Sequence, residues 1–275
     1  MRENLEKIFN RFKSEIGKYP NLTEIFNTKY LQDIETQIDN LVLDASTHIN
    51  PVFLSFLRDE NEGKLLLKKL SNNIEIIFKK VASENIKKHI AGQLRTIEAQ
   101  DTLVELSILG NLLSHFPPEN IELYPPTIDN RDVEAKVRIN ARWVFIEVSV
   151  LKDSKLERDE ITEALRSGNQ PKGRWIDLNK DKFRLLGKVS TKSKQFPPDS
   201  PNALFIVFTG VGVSFHDFPT PLDKIDIEDV SSVFEFDREL NYKTCKPGLS
   251  SNPLTEIEMK ELINFLKSEK WQSIF

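Results

Sequence analysis

Cysteine is almost absent from this chain, with one residue, Cys245, in 275. A single thiol excludes an internal disulfide framework and any zinc site built on cysteines. It suits a reducing, cytoplasmic setting. Long apolar runs are missing as well. No stretch approaches the roughly 18 to 20 apolar residues that span a bilayer, so no membrane partner is expected. Met1 to Lys18 is charged and amphipathic, without an apolar core of signal-peptide length. The phosphate loop Gly-x-x-x-x-Gly-Lys does not occur, nor does a glycine-rich dinucleotide fingerprint. Thr209-Gly210-Val211-Gly212 follows an apolar run but lacks a third glycine, and it reads as a turn. There is no Gly-x-Ser-x-Gly nucleophile elbow. The four histidines, His48, His89, His115 and His216, lack the spacing of metal ligands. A net charge of −4 argues against a uniformly basic coat for nucleic acid.

What remains divides into two regions. Residues 1–95 carry apolar side chains at helical spacing: Phe9, Phe12 and Ile16; then Ile25, Tyr30, Ile34 and Ile38; then Leu65, Leu66, Leu70, Ile74 and Ile77. Asn50-Pro51 marks a break, with Pro51 suited to the first turn of a new helix. This region reads as an all-helical bundle or arm. From residue 96 the pattern changes. Asp101 to Phe116 is a strongly apolar helix ending before Pro117-Pro118. A short strand near Ile121–Tyr124, a charged hairpin with its turn near Asn140, and a helix-prone stretch at Ser154–Ser167 follow. Next come a helix over Leu178–Gln195, a buried strand at Ala203–Phe208 and a final helix opened by the capping box at Thr255–Glu258. The expected class is therefore α/β, a mixed sheet flanked by helices, over residues 96–275.

The hairpin carries the most informative residue. Alternation places Val133, Ala135, Val137 and Ile139 on one face of its first strand, with Asp132, Glu134 and Lys136 on the other. In the second strand Val144, Ile146, Val148 and Val150 share a face. Glu147 stands opposite, among Trp143, Phe145 and Ser149. A strand apolar on both faces reads as buried. A carboxylate within it is costly unless paired, hydrogen-bonded or bound to a cation. Asp132, Glu134, Lys136 and Arg138 also fit a solvated antiparallel face with cross-strand ion pairs, which accounts for Glu134 and Arg138. Glu105, on the preceding helix, lies on the apolar stripe of Leu109, Leu112 and Phe116 and adds a third carboxylate. Carboxylates from one helix and two strands are hard oxygen ligands suited to Mg²⁺ or Mn²⁺. Basic residues outnumber acidic ones over 130–200, and the balance reverses over 201–275. A positive patch therefore accompanies the hairpin and the helix after it, and a local patch can hold a phosphate backbone.

This arrangement resembles the PD-(D/E)XK nuclease superfamily, the restriction-endonuclease-like fold. Glu105 matches the helix position, Asp132 the first-strand Asp, and Glu147 the acid of the second strand in Phe145-Ile146-Glu147-Val148-Ser149. Lys188, Lys192, Lys194 and Gln195 resemble the Lys/Gln-bearing helix that follows in many members, and Ala203–Phe208 resembles the buried strand after it. The similarity covers residues 98–215. The motif lysine is replaced by Ser149, whose hydroxyl supplies no positive charge. Two replacements are open: Lys136 across the hairpin, or Lys188 or Lys192 from the helix. The resemblance implies metal-dependent phosphodiester hydrolysis of DNA, with Asp132 and Glu147 as ligands of Mg²⁺ or Mn²⁺ and Glu105 as an outer or second-site ligand. Lys136 or Lys192 would be the catalytic lysine, and Lys188, Lys194 and Gln195 would contact nucleic acid. A homodimer formed through the helical arm is a further expectation. Ser149 and the acidic balance support an alternative, a nuclease-fold protein that has lost catalysis and acts as a nucleic-acid-binding or protein-interaction scaffold. A third option is assembly driven by the helical arm alone.

Overall fold

Helical periodicity in the first hundred residues and alternation after residue 120 are both realised in a computed structural model of the chain. It describes residues 2–41, 50–81, 83–96, 99–125, 133–151, 178–197, 199–208, 229–237 and 240–268. Two compact units divide between Ser107 and Ile108, inside a helix.

The first unit holds α1 (Arg2–Ile16), α2 (Pro20–Ile25), α3 (Thr28–Leu41), α4 (Pro51–Arg58), α5 (Glu60–Lys80), α6 (Glu84–Leu94) and the first half of α7 (Ala99–His115). Its centre is aromatic. Phe9 and Phe12 of α1 meet Phe53, and Phe12 meets Phe56, with ring centroids 4.9 to 5.7 Å apart. Asn50 explains the break before Pro51. Its side-chain oxygen accepts from the Val52 amide, capping α4, while its amide group donates to the carbonyls of Leu94 and Thr96. Asp59 then ends α4 and caps α5, accepting from the amides of Asn61 and Glu62. The turn is tight enough that α5 passes α4 at Gly63, where a Cβ would stand 2.5 Å from the Phe56 Cα. Leu65, read as part of the apolar stripe, is exposed instead.

The second unit is built on a sheet of six described strands: β1 (Ile121–Leu123), β2 (Ala135–Ile139), β3 (Arg142–Leu151), β4 (Asn202–Phe208), β5 (Ser232–Phe236) and β6 (Tyr242–Pro247). They lie side by side in sequence order. β1–β2, β2–β3 and β5–β6 are antiparallel; β3–β4 and β4–β5 are parallel. The class is therefore mixed α/β, as the alternation indicated, with two strands more than the sequence pattern suggested. In β5 the segment Ser232-Val233-Phe234-Glu235-Phe236 is buried throughout despite its Ser and Glu. Those polar residues, following an acidic stretch, masked a strand paired on both edges. The helix-prone stretch 154–167 and the glycine turn at 209–214 lie outside the described residues.

Two helices cover the sheet. On one face α8 (Leu178–Ser193) lays Leu185 and Val189 on Leu204, Ile206 and Val233, with Phe196 just beyond its end. On the other, α9 (Glu256–Leu266) opens with the expected capping box between Thr255 and Glu258. Phe265 of α9 packs against His115 and Phe116 at the end of α7. Met259 meets Cys245 of β6. Among the described residues no helix is long and apolar enough to cross a membrane.

Candidate functional site

The hairpin turn sets the geometry of the site. Asn140 and Ala141 both adopt positive φ, 47° and 70°. That is the signature of a two-residue turn whose twist matches the flanking strands. The register follows from it: Ile139 faces Arg142, Val137 faces Val144 and Ala135 faces Ile146. One step further, Glu134 comes opposite Glu147. Here the backbone ladder gives way. The Glu134 carbonyl accepts from the Tyr124 amide, 2.8 Å away, continuing the β1–β2 register. Its carboxylate takes the ladder's place and accepts from the Val148 amide at 2.9 Å.

Glu147 is fully buried, at 0 % exposure, on the sheet face that α8 covers. The spacing of Leu185, Val189, Lys192 and Phe196 brings Lys192 onto that same inward stripe. Its ammonium donates to Glu147 Oε1 as an ion pair. The Glu134 carboxyl stands beside that of Glu147. Burial first, and then the neighbouring Glu147 charge, push the Glu134 carboxyl well above the usual carboxylate range. Lys192 and the Val148 amide act in the opposite direction. The raised Glu134 carboxyl favours its protonated form beside Glu147, and the Lys192 ammonium faces the Glu147 carboxylate.

The other predicted residues fall as follows. Lys136 pairs with Glu122 at 2.7 Å, opposite it on β1, and its ammonium lies 5.0 Å from the centre of the Trp143 ring. Glu105 is half-buried on α7 and belongs to the helical unit. Asp132 lies outside the described residues. Lys188 is half-buried on α8. Lys194 is exposed just beyond it, and Gln195 is half-buried with its Oε1 enclosed. The Ser149 hydroxyl is buried, two residues beyond Glu147 on the same face. Among the described residues no group of three or more His, Cys, Asp or Glu gathers.

Sequence reading assigned Glu134 to a solvated face and so missed it. Counting back from a two-residue turn at Asn140-Ala141 pairs Glu134 with Glu147, so the signal lay in the turn. No protein-family model, curated protein or solved structure matches this chain.

Proposed function

We infer that the second unit is a metal-dependent phosphodiesterase centre of the restriction-endonuclease-like kind. In this reading it hydrolyses nucleic acid, DNA in the first place, with Glu134 and Glu147 holding Mg²⁺ or Mn²⁺ and Lys192 as the relocated lysine. One observation carries this reading: a fully buried glutamate beside a half-buried one, met by a lysine from the helix that follows. The donor set fits a hard divalent ion, because two carboxylates stand side by side and supply oxygen ligands to one point. The charges also balance. Two ionised carboxylates, one ammonium, one divalent cation and one phosphodiester anion sum to zero.

Such an ion, when bound, would acidify a water and neutralise charge on the phosphate. This chain's own groups do the rest. The Val148 amide fixes the Glu134 carboxylate. Lys192 holds Glu147 in place and presents its remaining N–H bonds to a phosphoryl oxygen or the attacking water. The attack forms one P–O bond and breaks the bond to the leaving oxygen. With Lys192 in place of the motif lysine, the charge that Ser149 lacks is restored, which favours activity over a scaffold that has lost catalysis.

The test is Mn²⁺ titration by calorimetry together with cleavage of single- and double-stranded nucleic acids. Wild type should bind the ion and cleave. Glu147→Gln should lose both, and Lys192→Ala should retain ion binding while losing cleavage. Cleavage that survives in Glu147→Gln removes the reading.

A further inference from the structure

The hairpin face that carries Glu134 and Glu147 continues toward its turn. Lys136 stands opposite Phe145, and Arg138 opposite Trp143. Side chains two residues apart on a strand share a face. Lys136, Arg138, Phe145 and Trp143 therefore form an extension of the face bearing the carboxylate pair. Trp143 is half-exposed, with the Lys136 ammonium 5.0 Å from its ring centre. Arg138 is exposed, and its guanidinium makes no hydrogen bond or ion pair among the described residues. Lys194, two positions past Lys192, is likewise exposed and without an ion pair among the described residues. An accessible indole flanked by cations is the pairing that holds an unpaired base and its phosphates. Four residues of strand separate Trp143 from Glu147, about 13 Å at the usual rise per residue. That is a few nucleotides of backbone.

We propose that Trp143, with Arg138 and Lys136, is a stacking platform for an unpaired base, so that the site takes single-stranded or locally opened nucleic acid. This rests on the hydrolytic reading for its purpose but not for its test. A duplex keeps its base faces stacked inside and offers the indole nothing except at ends. A single strand offers every base. Arg138 and Lys194 hold the backbone by charge, a contribution common to DNA and RNA.

The experiment is binding without catalysis. The full-length protein in a chelator is titrated with a single-stranded DNA oligonucleotide, the matching RNA and the DNA duplex, followed by tryptophan fluorescence and anisotropy. The single strands should bind at least about tenfold tighter than the duplex and quench the emission. Trp143→Ala should weaken single-strand binding roughly tenfold or more, and Trp143→Phe should keep most of the affinity while removing the quench. Arg138→Ala, at an exposed position, should lower the salt dependence by about one counterion. Preference between the DNA and RNA strands assigns the sugar. Equal affinity for strand and duplex, undiminished binding by Trp143→Ala, or no binding at low salt overturns the platform. The chelator separates the two ideas: strand binding is read with cleavage switched off, so its failure counts against the platform and leaves the hydrolytic reading to the Mn²⁺ experiment.

Discussion

Removing the Lys192 ammonium, as in Lys192→Met, is the sharpest perturbation of the site. Glu147 is 0 % exposed and its partner only 22 % exposed, so the substitution leaves a carboxylate with its main cation gone. Breaking a buried pair from one side costs about 3–5 kcal/mol when the remaining charge stays. A carboxylate has an escape, since the folded protein can take up a proton. At pH 7 that costs about 3.8 kcal/mol, given an ordinary glutamate pKa near 4.3 and about 1.4 kcal/mol per pH unit. The escape therefore caps the loss at about 3.8 kcal/mol at pH 7 and about 1 kcal/mol at pH 5. Urea unfolding at both pH values, read by tryptophan fluorescence, measures this. All three tryptophans, Trp143, Trp175 and Trp271, follow residue 107 in the sequence. The double variant Lys192→Met, Glu147→Gln should recover most of the loss at pH 7, because it removes the charge as well as its partner. A loss below about 1 kcal/mol at pH 7, or one of equal size at both pH values, would refute the argument that the two groups depend on each other.

Three further outcomes follow from the same structure. Folding raises the Glu134 carboxyl well above the usual carboxylate range, so the folded state binds its proton more tightly than the unfolded chain. Its contribution to stability is complete below the ordinary carboxylate range and is lost as pH rises toward its raised folded value. In that window wild type should lose about 1.4 kcal/mol per pH unit from this group, and Glu134→Gln should flatten the slope in urea unfolding from pH 5 to 8. Gly63→Ala should destabilise the helical unit by roughly 1–3 kcal/mol in thermal unfolding followed by circular dichroism, because its Cβ would press on the Phe56 backbone at 2.5 Å. Burial pushes the Cys245 thiol up to about 12, so the folded protein at pH 8 should react with a thiol reagent far more slowly than the urea-unfolded chain. Equal rates would contradict that enclosure.

Much of this was legible in the amino-acid order, and the residues show why. Phe9, Phe12 and Ile16, Pro51 after its capping Asn50, and the box at Thr255–Glu258 encode local structure through periodicity and nearby hydrogen bonds. Those features depend on neighbours a few residues away. Glu147 declared itself because a charge inside an apolar run is costly wherever the strand ends up. The sequence offered Lys136, or the helix bearing Lys188 and Lys192, as a cation near Glu147, and it could go no further. The tertiary arrangement shows which of them meets that carboxylate. A cross-strand partner on β1, Glu122, engages Lys136, while the crossover between two parallel strands lays α8 over Glu147 and delivers Lys192. Glu134 became part of the site for a similar reason. Its protonation depends on a neighbour thirteen positions away in the chain, and on burial that no local pattern measures. β5 escaped notice because its Ser and Glu are tolerated only between two strands that the chain supplies from elsewhere. Local order thus determined which segments become helices and strands. Which side chains share one dry pocket was settled by long-range pairing, because desolvation and charge act through space rather than along the chain.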